Sequence, residues 1–140
     1  ANALRDAEIQ EAISSGPVGR IAVTAILWAD AALPKQPGSW FVIESPGDAE
    51  AFARHLEAFP RSISGGTGLG AGIVEAIRLM DRNGITGSRQ VVDVSGDGVE
   101  TPPRENVLLV SDARGMALGR GITVNGLAIL TDVPDLADYY

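Results

Sequence analysis

Cysteine is missing from all 140 residues. Disulfides, thiolate metal sites and cysteine nucleophiles are therefore excluded, while the compartment stays open. Histidine occurs once, as His55, beside Arg54 and Glu57 in a helical context where a solvated or half-buried place is the ordinary one. A Ser-His-Asp triad would have to use it, and no Gly-x-Ser-x-Gly elbow exists, so hydrolysis of that type is not expected. No apolar run approaches the roughly 18 residues of a membrane span, and no stretch reads as a signal peptide. Positive charge is sparse: 11 Lys and Arg face 18 Asp and Glu, a net charge of −7. Nucleic acid and anionic membrane surfaces attract clustered basic residues, and those here are scattered. Neither nucleic-acid binding nor membrane insertion is expected.

What is present describes a globular chain. Hydrophobic residues make up 45%, and a chain of this length normally forms one domain burying about two-thirds of its unfolded surface. Leu4, Ile9, Ala12 and Ile13 have near-helical spacing, ended by Gly16-Pro17. Residues 20–28 are rich in β-branched side chains and read as a strand. After a turn over 34–38, residues 40–44 read as its antiparallel hairpin partner, with Trp28 and Trp40 as cross-strand or core aromatics. Asp48 is placed to cap a helix running to residue 58. A second helix spans 69–82, with Ile73, Ile77 and Met80 inward and Asn83-Gly84 closing it. A strand at 89–94, a polar loop over 95–104, a helix over 105–118 and a strand at 122–130 follow. Residues 134–140 start like another helix. This alternation predicts an α/β fold, a mostly parallel sheet covered on both faces with the hairpin at its edge. No repeat or linker marks a boundary, so residues 1–140 read as a single domain. The chain opens on Ala1 without a Met start, already in helical pattern, which implies further sequence upstream.

The segment Gln90-Val-Val-Asp-Val-Ser-Gly-Asp-Gly98 carries the strongest chemical signal. A short apolar run leads into carboxylates, a hydroxyl and glycines, and ligands in open α/β sheets bind beyond the carboxyl ends of strands. Asp97 between two glycines is equally the composition of a tight turn. Asp93 near the end of an apolar strand is costly unless paired or metal-bound, and alternation puts Asp93, Ser95 and Asp97 on one side if the strand continues. Upstream, Ser64-Gly-Gly-Thr-Gly68 places Thr67 among glycines that permit close backbone approach. Hydroxyl and carboxylate from two loops suit a hard cation: Mg²⁺, or Mn²⁺ or Ca²⁺. Gly66-Thr-Gly-Leu-Gly-Ala71 matches a dinucleotide pattern, but that pattern needs a strand directly before it, and a helix and Pro60 precede it here. Pro102, Pro103, Arg104 and Glu105 border the site as a solvated loop and helix entry, or as a partner contact.

These residues resemble the second half of a von Willebrand factor type A (VWA) domain and, more narrowly, the bacterial DUF1194 family. Matching stretches are Gly19-Arg-Ile-Ala-Val-Thr24, Gly65-Gly-Thr67, Val92-Asp-Val-Ser-Gly-Asp-Gly-Val99, Gly121-Ile-Thr-Val-Asn-Gly-Leu-Ala-Ile-Leu130 and Pro134-Asp-Leu-Ala-Asp-Tyr-Tyr140. The resemblance implies a three-layer Rossmann-like fold and a metal-ion-dependent adhesion site, with Thr67 and Asp97 as metal ligands. Asp93, Ser95, Gly66 and Glu100 are then neighbours that steady the ligands or touch a partner. The family's first-loop motif, Asp-x-Ser-x-Ser, is not in this sequence; Asp93-Val-Ser95-Gly-Asp97 imitates it but follows the Gly-Gly-Thr loop. The resemblance thus implies a first central strand carried by about 30 or more residues upstream, and an abrupt ending at Tyr140. It also implies a periplasmic or secreted location.

The functional expectation is a non-enzymatic binding module in which a divalent cation, Mg²⁺ or Mn²⁺ or Ca²⁺, bridges to an Asp or Glu carboxylate of a partner protein; the cation is expected only where the upstream first-loop motif is present. Two alternatives stay open: a Mg²⁺-dependent phosphoryl-transfer or hydrolytic enzyme using Asp93 or Asp97, and a metal-free interaction scaffold.

Overall fold

The computed structural model describes residues 2–60, 62–101, 109–129 and 135–138. The expected loop and helix entry at Pro102, Pro103, Arg104 and Glu105 lies outside these residues, as do Leu130, Pro134 and Tyr140. The chain divides into two compact units, Ala1–Ile26 with Pro37–Ser62, and Leu27–Gln36 with Ile63–Tyr140.

In the first unit a 3-10 turn, Asn2–Arg5, precedes helix α1, Ala7–Ser14. The Asp6 carboxylate accepts the Glu8 N–H and caps α1, supplying a bond that the first turn cannot make internally. Strand β1, Ile21–Val23, pairs antiparallel with β4, Phe41–Ile43, in the register Ile21↔Ile43 to Val23↔Phe41. Helix α2 is Pro46–Glu57, starting two residues before the expected cap. Ser45 is the N-cap and Asp48 the third helical residue of a reciprocal capping box. Two backbone bonds and the Ser45 hydroxyl hold the Asp48 carboxyl below its ordinary range, the hydroxyl contributing most. Ser45→Ala is expected to cost this unit about 1 kcal/mol, seen as a lower urea midpoint by Trp40 fluorescence. An unchanged midpoint would mean that the box does not stabilise α2.

The core of the first unit is Ile43, Ala49 and Phe52, with Leu4, Ile13, Ile21, Val23, Phe41 and Leu56 packed against it. Arg5 clasps α2 from the N-terminal turn, its Nε 2.7 Å from Glu50 Oε2 and its Nη1 2.7 Å from Glu57 Oε1. Arg5 first, then Arg54, pulls the Glu50 carboxyl down to about 2. His55 lies among aromatic rings, 5.1 Å from Phe41 and 5.4 Å from Phe59 between centroids. Its Nε2 is buried without a hydrogen-bond partner among the described residues.

In the second unit the long helix is α3, Leu69–Arg82, with the boundaries its periodicity predicts. Strand β5, Val91–Gly96, pairs in parallel with β6, Thr123–Ala128, from Val91↔Thr123 to Gly96↔Ala128. Helix α4, Val110–Gly119, connects them, and Gly121 at φ 68° turns the chain back toward β6. A 3-10 turn, Leu136–Asp138, follows. Leu69, Ile73, Val74 and Ile77 of α3 meet Val92 and Val94 of β5, Ala113 and Ala117 of α4, and Ile122. Trp28 packs against the same core, over Gly72, where a Cβ would lie 3.1 Å from Trp28 Cγ.

The expected single, mostly parallel Rossmann-like sheet with an edge hairpin is not what forms. The strands make three separate two-stranded sheets: β1 with β4; β2, Ile26–Leu27, with β3, Gln36–Pro37; and β5 with β6. Only β5 and β6 are shown to pair in parallel. The reason lies partly in residues 20–28, which read as one strand. The ladder is interrupted at Thr24 and Ala25, which bond instead to the opposite arm: the Thr24 hydroxyl donates to the carbonyls of Gly38 and Ser39, both at 3.1 Å, and Ala25 O accepts the Gly38 N–H at 2.8 Å. Among the described residues no strand joins β5 to any of β1–β4, so the single sheet expected at the centre of a three-layer fold does not form there. No described helix is long and apolar enough to cross a membrane.

Candidate functional site

Three segments of the second unit meet at backbone distance: the turn after Trp28, the glycine-rich run before α3, and the loop after β5. Glycine makes this approach possible. A Cβ on Gly68 would fall 2.4 Å from Ala31 N and 2.8 Å from Ala29 O. One on Gly66 would fall 2.6 Å from Thr101 Oγ1 and 3.2 Å from Asp30 Oδ2, and one on Gly98 2.8 Å from Thr67 Oγ1. The glycines that the sequence marks for close approach are therefore packed against protein, and Thr67 faces the loop that carries Asp97.

Hydrogen bonds lock the meeting. Thr67 N–H donates to Thr101 Oγ1 at 2.7 Å, and Thr101 N–H donates to Thr67 O at 2.8 Å. Gly68 N–H donates to Ala29 O at 2.9 Å. Gly68 is the N-cap of α3 and has no side chain to cap it. The cap comes from Glu100, whose Oε2 accepts the Gly70 N–H at 3.2 Å. Burial pushes the Glu100 carboxyl up, opposed by the Gly70 and Leu69 amides and by Lys35. Its other oxygen, Oε1, is buried with no partner among the described residues. Lys35 Nζ donates to the carbonyls of Asp30 (3.0 Å), Ala31 (3.1 Å) and Leu33 (2.7 Å). Burial lowers its pKa, opposed by Asp30, Glu75 and Glu100.

The residues singled out in the sequence separate into two groups. Thr67, Gly66 and Glu100 belong to this cluster, and Asp97 stands exposed on its loop one residue before Gly98. Asp93 and Ser95 do not belong to it. They are exposed on the face of β5 opposite Val92 and Val94, so alternation continues to Ser95 as expected. Asp93 Oδ1 accepts from Asn125 Nδ2 at 2.7 Å, which supplies the pairing its position demands. Both line a shallow cleft of about 230 Å³ with Val94, Asn125, Gly126 and Leu127. The single histidine is in the first unit. Sequence reasoning misses Asp30, Lys35 and Thr101: Thr101 bonds to Thr67 across 34 residues, whereas Asp30 and Lys35 bond locally, within residues 30–35, in a segment without a recognised motif.

The donors at the meeting point are oxygens, which suits a hard cation such as Mg²⁺. Two protein ligands, Thr67 and Asp97, would leave most of its coordination shell to water. Among the described residues no three His, Asp or Glu side chains are grouped to hold a metal.

One family model, described as "Protein of unknown function (DUF1194)", matches residues 1–140. No curated protein and no solved structure matches the chain significantly.

Proposed function

This chain belongs to the DUF1194 family, and from that premise and the site's geometry we propose that it is a binding module, not an enzyme. Thr67 and Asp97 hold a divalent cation, Mg²⁺ or a relative, and a carboxylate from a partner protein completes its shell. The observation that carries this reading is the closeness of the two loops: a Cβ on Gly98 would lie 2.8 Å from the Thr67 hydroxyl. A Thr on one loop and an Asp on the next resemble the adhesion sites of VWA domains. With water filling most positions, affinity is expected to be weak, on the order of 10⁻⁴ to 10⁻³ M, the range of weak Ca²⁺ sites in extracellular modules. A periplasmic or secreted location belongs to the same proposal.

The test is Mn²⁺ titration of the chain by calorimetry. Asp97→Ala and Thr67→Ala are each expected to weaken binding at least about tenfold, since even residues that only support a ligand have effects of that size. Asp93→Ala is expected to leave binding unchanged, because Asp93 is engaged with Asn125. No Mn²⁺ uptake by the wild-type chain, or equal uptake after Asp97→Ala, sinks the proposal. Turnover of a generic phosphoester in Mg²⁺, lost on Asp97→Ala, would transfer Asp97 to an enzymatic role.

A further inference from the structure

We infer that Glu100 is a positioning residue, a remote cap that fastens the Asp97 loop to the first turn of α3 and so sets where Asp97 stands relative to Thr67. The inference rests on the binding site proposed for those two residues.

It begins at Gly68. The start of a helix leaves backbone N–H groups without partners, and a Ser, Thr or Asp at the N-cap is the usual remedy. Position 68 cannot carry one, because its Cβ would lie 2.4 Å from Ala31 N and 2.7 Å from Ala31 Cα. The need for a cap therefore passes to another part of the chain. Glu100 meets it from 30 residues away, its Oε2 accepting the Gly70 N–H at 3.2 Å. A carboxylate at a helix N-terminus is further favoured by the helix dipole.

The arrangement is costly as a cap alone. Glu100 Oε1 is buried without a hydrogen bond among the described residues, and a buried unsatisfied oxygen disfavours the folded state. What the arrangement achieves beyond capping is attachment. Next to Glu100, Thr101 exchanges two hydrogen bonds with Thr67. The chain from Gly98 to Thr101 is thus tied at two points, Glu100 on α3 and Thr101 on the Thr67 backbone, and Gly98 packs close to the Thr67 hydroxyl. Asp97 is the residue immediately before this tied stretch.

The experiment is amide hydrogen exchange by NMR on the metal-free chain, comparing wild type with Glu100→Ala and Glu100→Gln. Glu100→Ala is expected to speed exchange at the Thr67 and Thr101 amides at least about tenfold, the scale of a lost charged hydrogen bond, while Val92 and Val94 in the core stay within about twofold. Glu100→Gln keeps an oxygen for the Gly70 N–H and is expected to remain within about threefold of wild type. Wild-type rates at Thr67 and Thr101 in Glu100→Ala would overturn the inference. So would equal acceleration of the core amides, which marks a general loss of stability, and a Gln variant as fast as Ala. Because no metal is used, the result is separate from the Mn²⁺ titration. Failure of wild type to bind Mn²⁺ removes the cation reading, and an unaltered exchange pattern removes the role of Glu100.

Discussion

Gly68→Ala is expected to destabilise the second unit by about 3 kcal/mol or more, the sum of overpacking and a disrupted buried hydrogen bond. The added methyl would meet Ala31 N at 2.4 Å, Ala31 Cα at 2.7 Å and Ala29 O at 2.8 Å. All three are backbone atoms, so no side chain can rotate away. Relief requires the turn after Trp28 to separate from the start of α3, which breaks the 2.9 Å bond from Gly68 N–H to Ala29 O. Urea unfolding read by Trp28 fluorescence, in a Trp40→Phe background, measures the effect, since Trp28 packs on the core of this unit. Gly115→Ala is the control. Gly115 lies within α4, and a Cβ there would meet nothing within 4 Å, so the same substitution is expected to raise stability by about 0.5–1 kcal/mol. Equal midpoints for Gly68→Ala and wild type would mean that the close approach at Gly68 does not exist.

Ile77→Ala is expected to cost about 3–4 kcal/mol, within the range for truncating a fully buried aliphatic side chain. Ile77 is 0% exposed and lies in the core that joins α3 to β5 and α4. Three carbons removed there leave a cavity that packed neighbours fill only in part. Ile77→Val, a smaller deletion at the same place, is expected to cost about 0.5–1.5 kcal/mol. The same urea assay reads both. An Ala variant within the range of the Val variant would show that the α3 core collapses freely around the gap. Because α3 follows the Thr67 loop and β5 leads into the Asp97 loop, Ile77→Ala is also expected to weaken Mn²⁺ uptake before the unit unfolds.

Much of the second unit was legible because its signals are local. The apolar positions Ile73 and Ile77 repeat with helical period, Asn83-Gly84 closes the helix, and α3 has the boundaries this implies. Val92 and Val94 are buried and Asp93 and Ser95 exposed, as alternation along a strand requires. The start of α2 was misplaced although its signal is also local. The sequence offers Asp48 as the cap, whereas Ser45 and Asp48 form one capping box with Ser45 at the N-cap.

The sheet was misread for a different reason. Alternating helices and strands count the elements but do not say which strand edges pair. Where one strand is expected over residues 20–28, the ladder is interrupted at Thr24 and Ala25, which bond to Gly38 and Ser39 instead. Around the cluster, the sequence by itself determined the glycines that flank Thr67, and Asp97 between two glycines after an apolar strand. Steric freedom and hydrogen-bonding capacity belong to each residue type, so they can be read without coordinates. Only the tertiary structure decided the assignments: Asp93 bonded to Asn125 on an exposed face, and Glu100 and Thr101 bonded to the α3 loop. Those bonds join residues about 30 positions apart in the chain. A contact of that kind exists only once packing has brought two surfaces together, and no residue carries its partner's address.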